Sequence, residues 1–187
     1  MRSSVPYKFL DITPEPELLN YDFNSITLDE WANHTKLKES FPVFREIYNF
    51  RILGVGDMSK WENPFSVVDI VYFNTENPVH ALVMQEVKKL EKLYNAKALI
   101  GVLDGMPPGT GIYRHWDLNP IFENSHRVHL PLVTHPDVKF YIDDVEYHFP
   151  AGQFYEFDNQ RYHEVKNKSD IFRIHLIVDL MPNHSKE

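Results

Sequence analysis

The apolar positions of this chain change their period once. Upstream of residue 95 the clearest signal is helical. Asn77-Pro78 supplies a cap and a first-turn proline. Leu82, Val83, Glu86, Val87, Leu90, Leu93 and Tyr94 then recur at helical spacing, with Lys88, Lys89 and Lys92 on the other face. This pattern predicts an amphipathic helix whose stripe packs on a sheet. Thr27-Leu28-Asp29-Glu30 has the form of a capping box, which predicts a short helix through Trp31 and Leu37. Residues Met1 to Asn24, interrupted by Pro6, Pro14 and Pro16, read as irregular or edge structure. From Phe41 to Phe65 aromatics and turn residues are dense but keep no period. Val67 to Phe73 reads as a buried strand or a short helix, which periodicity does not separate.

After Asn95 come short runs rich in β-branched and aromatic residues: Ala98–Leu103, Gly111–Asp117, Arg127–Val133, Val138–Ile142, Val145–Phe149, Gln153–Phe157, His163–Val165 and Phe172–Leu180. Turn residues separate them, among them Pro107-Pro108-Gly109, His135-Pro136-Asp137, Asp143-Asp144 and Pro150-Ala151-Gly152. Many short strands in succession predict a mainly β fold, an antiparallel sandwich or jelly roll. With no repeat or linker, the expectation is one domain over 1–187. Residues 1–95 form a helical or mixed part packed on the sheet, and residues 96–181 the jelly-roll core.

Composition narrows the class. The chain has 187 residues, 43% hydrophobic and 25% charged, as in an ordinary globular protein. A formal charge of −8 and no basic run speak against a nucleic-acid partner. Zero cysteines exclude a disulfide framework, a thiolate zinc site and a thiol nucleophile. No apolar run approaches a membrane span and no export signal is visible, so the expected address is cytoplasmic.

The candidate chemistry lies in the strand-rich half. In Ile112-Tyr113-Arg114-His115-Trp116-Asp117, His115 and Asp117 are two apart, so in a strand they share a face. His163, in another strand-like run, is the candidate third ligand. Two histidines and one carboxylate with open positions form the facial triad of non-haem Fe(II) oxygenases. The plainer reading makes His115 a half-buried strand residue and Asp117 a turn cap. Arg127 and His129 share a strand face. They point either inward, where burial demands an anionic partner, or to solvent above a core of Val128, Leu130 and Leu132. Arg173 interrupts an apolar last strand and is suited to a carboxylate, or to a surface ion pair with Asp170 or a glutamate. By strand parity Tyr113 lines the pocket or packs in the core, and Trp116 packs away from it. Trp31, Phe41, Phe44, Trp61 and Phe65 read as core before pocket wall.

From Met106 to Leu180 the chain resembles the aspartyl/asparaginyl β-hydroxylase family of Fe(II)/2-oxoglutarate oxygenases. The resemblance rests on Pro107-Pro108-Gly109-Thr110, His115 with Asp117, Arg127-Val128-His129-Leu130, Phe157-Asp158-Asn159, His163-Glu164-Val165, and Phe172-Arg173 leading to Ile177-Val178-Asp179. It implies a double-stranded β-helix of the cupin-like kind. It also implies iron held by His115 and His163, a 2-oxoglutarate site at Arg127, His129 and Arg173, and hydroxylation of a C–H bond with O2. The complete HxD, with Asp117 as the further ligand, is similar to bacterial relatives that hydroxylate free amino acids. The animal peptide-hydroxylating branch lacks that carboxylate. A free amino acid, a peptide and another small molecule all stay open as substrates. Two further readings also stay open: a non-catalytic cupin-like protein binding a metal or small molecule, and a metal-dependent cupin enzyme that does not use 2-oxoglutarate.

Overall fold

The computed structural model describes residues 5–32, 42–56, 69–118 and 120–183. Its strands, in chain order, are β1 (Tyr7–Phe9), β2 (Tyr48–Val55), β3 (Ile70–Tyr72), β4 (Ala96–Met106), β5 (Gly111–His115), β6 (His126–Val133), β7 (Val138–Ile142), β8 (Val145–Tyr147), β9 (Tyr155–Phe157), β10 (His163–Asn167) and β11 (Arg173–Pro182). The helices are α1 (Pro16–Leu19), α2 (Leu28–Ala32), α3 (Pro78–Tyr94) and α4 (Pro120–Asn124). Seven strands form one antiparallel sheet in the order β1-β9-β6-β11-β4-β2-β3. The other four form a second in the order β5-β10-β7-β8. The two make a mainly β jelly roll.

Local chemistry accounts for the helices. Asn77 Oδ1 accepts from Val79 N at 3.1 Å, and α3 stops where Asn95 turns left-handed at φ 45°. Val79, Val83, Val87 and Leu90 are buried, whereas Leu93, expected in the stripe, is 51% exposed. Glu86 is fully buried, accepting from Glu15 N at 2.6 Å and pairing with Lys89 at 3.2 Å. The capping box closes as its sequence requires: Thr27 N donates to Glu30 Oε2 at 2.7 Å and Glu30 N to Thr27 Oγ1 at 3.3 Å. The expected continuation of α2 to Leu37 lies outside the described residues.

The seven-stranded sheet is buried on both faces. One face packs Leu103, Val128, Leu130, Leu176 and Val178 under α3. The other turns Met106, Tyr155 and Phe157 toward Val138, Phe140, Ile142 and Val165 of the second sheet. The N-terminal part is more than a helical buttress, because β1, β2 and β3 all join this sheet. Strand β2 shows no period because most of its positions are buried on both sides, which erases alternation. Within Val67–Phe73, residues 67 and 68 lie outside the described residues. Residues 70–72 form the edge strand β3, with Val71 and Tyr72 exposed, where the sequence pattern predicts a buried strand or a short helix. Among the described residues no helix is long and apolar enough to cross a membrane.

Candidate active site

Strands β5 and β10 are antiparallel neighbours, and their register sets His115 directly opposite His163. The predicted strand through Asp117 ends at His115, so Asp117 sits in the following loop. That loop is pinned: Asp117 N donates to Asn159 O at 3.0 Å, and Gln160 Nε2 donates to Asp117 O at 2.9 Å. One ligand atom from each of His115, Asp117 and His163 falls within 4.8 Å of the others.

Each histidine is held in one tautomer. Nδ1 of His115 lies 2.7 Å from Tyr113 O, and Nδ1 of His163 lies 2.9 Å from Arg161 O. A carbonyl only accepts, so both Nδ1 atoms carry a proton, and in the neutral ring form that ligates a metal both Nε2 atoms keep a lone pair. His115 Nε2 then faces Asp117 Oδ1 at 3.5 Å, acceptor against acceptor. A cation between them turns that repulsion into coordination, so the donor set fits a divalent metal. Burial pushes His163 down to about 4, with Asp117 opposing, which keeps the imidazole neutral and able to ligate. For Asp117 burial favours the neutral acid, but the Arg127 guanidinium opposes it and holds the carboxyl well below its ordinary range.

Arg127 is committed to carboxylates. Nη1 donates to Asp117 Oδ2, while Nε and Nη2 grip Asp179 at 2.7 and 2.9 Å. Its guanidinium also lies 4.6 Å from the Phe122 ring. Asn159 Nδ2 adds a bond to Asp117 Oδ2 at 3.2 Å. Of the two orientations open for Arg127 and His129, the structure takes the inward one, with Val128 and Leu130 buried on the opposite face. Arg173 is buried too and pairs with Asp104 rather than with Asp170 at the surface.

Deeper along the same face lies a group of polar atoms in want of partners. Both ring nitrogens of His129, Nε2 of His175 and Nε of Arg173 are buried without a hydrogen-bond partner among the described residues. Burial, with Arg127 and Arg173 nearby, drives His129 far below its ordinary value, and burial with Arg173 does the same to His175. Unmade hydrogen bonds of this kind are costly, and an oxygen-rich ligand satisfies them. Tyr155, Phe140 and Phe157 ring His129 at centroid distances of 5.3, 6.0 and 5.0 Å. The donor set fits a carboxylate co-substrate.

Tyr113 is half exposed, and its hydroxyl accepts from Arg45 at 2.8 Å, so it is not core. Trp116 packs edge-on against Tyr162 at the surface, 4.7 Å between centroids. Phe44 sits edge-on to His115 at 5.4 Å and Trp31 is in the main core. Phe41, Trp61 and Phe65 lie outside the described residues. Sequence reasoning assigned no role to Asp104, Asp179, Asn159, Tyr155 or His175. Asn159 and Asp179 stand in runs that carry the resemblance, and a further signal was period-two placement: Arg173, His175 and Asp179 alternate along a strand that is otherwise apolar.

Comparison with solved structures places the fold. A 2OG-Fe(II) oxygenase family oxidoreductase from Burkholderia pseudomallei matches with TM-score 0.56 and 13% identity, covering 95% of this chain and 85% of that one. The viral collagen prolyl hydroxylase of Paramecium bursaria Chlorella virus-1 matches with TM-score 0.57 and 9% identity, over 97% and 98% of the two chains. A Pseudomonas putida prolyl-4-hydroxylase matches with TM-score 0.56 and 11% identity, over 97% and 95%. None of the curated proteins matches the sequence. Residues 73–182 match the sequence profile described as aspartyl/asparaginyl beta-hydroxylase. That match spans more than half of the chain and contains every strand from β4 to β11, so the protein belongs to the aspartyl/asparaginyl β-hydroxylase family of 2-oxoglutarate-dependent hydroxylases.

Proposed function

We propose that the protein hydroxylates a C–H bond of an amino acid or peptidyl residue, with iron held by His115, Asp117 and His163. The observation that carries the reading is the fixed pair of histidine tautomers facing a buried carboxylate, three donors converging on one point. Bound together, Fe(II), 2-oxoglutarate and O2 supply the oxidising power that inserts one oxygen atom into the C–H bond, as 2-oxoglutarate becomes succinate and CO2.

The chain contributes positioning and dryness. Arg127 and Asn159 hold Asp117 ionised and oriented, and Asp179 in turn holds Arg127. In this reading Arg127 acts through Asp117, and the co-substrate's distal carboxylate goes to Arg173 with His129 beside it. His129 is neutral, so it donates one hydrogen bond without adding charge. The aromatic rings around it exclude water, which strengthens each charged contact. In the same reading Tyr113, half exposed two residues before His115, meets substrate.

The test is direct. Anaerobic addition of Fe(II) and 2-oxoglutarate should produce a weak visible absorption band, absent in His163→Ala. Succinate formation is then screened against free amino acids, proline and asparagine first, and against short peptides next. A band that survives His163→Ala refutes the ligand set. Iron and 2-oxoglutarate binding without succinate formation favours a non-catalytic binder.

A further inference from the structure

The arginine assigned to the co-substrate is not free to act as a bare cation. Arg173 is 1% exposed, and its Nη1 donates to Asp104 Oδ1. Asp104 is itself 2% exposed and is fixed from the other side, where Asn49 Nδ2 donates to its Oδ2 at 3.3 Å. The pair therefore joins three adjacent strands, β2, β4 and β11, at the floor of the inner face. Among the donors that Arg173 still has to offer is Nε, buried and without a partner among the described residues. Asp104 thus occupies one part of the guanidinium and leaves the Nε side for an incoming group.

This arrangement has a charge consequence. A carboxylate arriving at the Nε side would share a single guanidinium with Asp104. Two ionised carboxylates on one buried cation leave a net negative charge in a dry site, which is strongly disfavoured. The groups around Asp104 offer little relief. From β11 come Arg173 and His175, from β6 Arg127 and His129, from β9 Tyr155, and from β2 the neutral Asn49, with Arg51 two residues further along that strand. Arg127 is already shared between Asp117 and Asp179. His148, after β8, acts on His175. We propose that Asp104 is the positioning residue that aims Arg173 at the distal carboxylate of the co-substrate, and that the co-substrate binds together with a proton taken up by Asp104. The inference rests on the assignment of Arg173 to that carboxylate. It agrees with the direction already set in the free protein, where burial raises the Asp104 acid above its ordinary value while Arg173 and Asn49 pull the other way.

The experiment is calorimetric and independent of turnover. The full chain is loaded with Mn(II), and 2-oxoglutarate is titrated in buffers of different ionisation heat at pH 7 to 8. Pyruvate, which has the keto acid but no distal carboxylate, is titrated in parallel. The expected result is uptake of about one proton per 2-oxoglutarate and none per pyruvate, with 2-oxoglutarate affinity falling about tenfold per pH unit on the alkaline side. Asp104→Asn, which keeps an oxygen acceptor for Arg173 but removes the titration, should bind 2-oxoglutarate with no proton uptake and a flat pH profile. Equal uptake for pyruvate, or none for 2-oxoglutarate, overturns the proposal in the unaltered protein without any variant. Unchanged uptake in Asp104→Asn overturns it in favour of His129 or His175. If neither keto acid binds the Mn(II)-loaded chain, the co-substrate reading fails along with it.

Discussion

Replacing Arg127 by methionine tests the idea that this residue serves the fold and Asp117 rather than the co-substrate. Methionine preserves much of the length and apolar bulk but removes three charge-assisted bonds, two to Asp179 and one to Asp117. Asp179 is fully buried, and among the described residues its side chain bonds to Arg127 alone. Removing one partner of a buried pair leaves an uncompensated charge, which costs roughly 3–5 kcal/mol. Against a domain stability of about 5–15 kcal/mol, that is a large fraction. Replacing Asp179 by leucine as well removes that charge, and Asp117, the other carboxylate that loses Arg127, keeps its bond from Asn159 Nδ2 at 3.2 Å. The pair then becomes an apolar contact, and the double variant should recover to within about 1–2 kcal/mol of the unaltered protein. The assay is urea unfolding at pH 7.5 of the four members of the cycle, followed by circular dichroism. A loss below about 1 kcal/mol in Arg127→Met, or a double variant no more stable than the single one, would refute the reasoning. The first result would mean that Asp179 finds another partner, and the second that shape rather than charge holds this layer together.

Two further outcomes are expected from the same structure. Arg173→Leu should raise the 2-oxoglutarate requirement for succinate formation by about 10- to 150-fold, the equivalent of one charge-assisted contact of ~1.5–3 kcal/mol; an unchanged requirement would return that role to Arg127. Glu156 is a partly buried acceptor for Tyr94 at 2.7 Å, His126 at 2.7 Å and Lys8 at 2.8 Å. Burial works to raise its acid, but these three partners bring it from 4.5 down to about 2. A lowered folded-state value means stability that is present above pH 4.5 and lost as pH falls through 2. Glu156→Gln should therefore cost about 2–3 kcal/mol at pH 7, allowing for partial exposure, and progressively less as unfolding is measured toward pH 2. A cost that does not change between those limits would rule the linkage out.

What the sequence determined by itself is whatever short-range chemistry enforces. The Asn77-Pro78 start of α3 and the Thr27–Glu30 box are contacts within four residues, so they were legible before any fold was known. The succession of short strands after residue 95 and the His115/Asp117 pair were readable for the same reason. Even there the edges shifted, because Asp117 is held by a loop and by Asn159 rather than by strand geometry. What only the tertiary structure decided is everything set by two-sided burial. Strand β2 carries no alternation because both of its faces are covered, and β3 proved to be an exposed edge because nothing in its own residues reveals where a sheet ends. The partners of the two buried arginines are further still from view. Asp179 is 52 residues from Arg127 and Asp104 is 69 from Arg173. No local pattern joins such pairs. Sheet order and register bring them together, and the low dielectric between two packed sheets then makes each charge depend on the partner that the fold supplies.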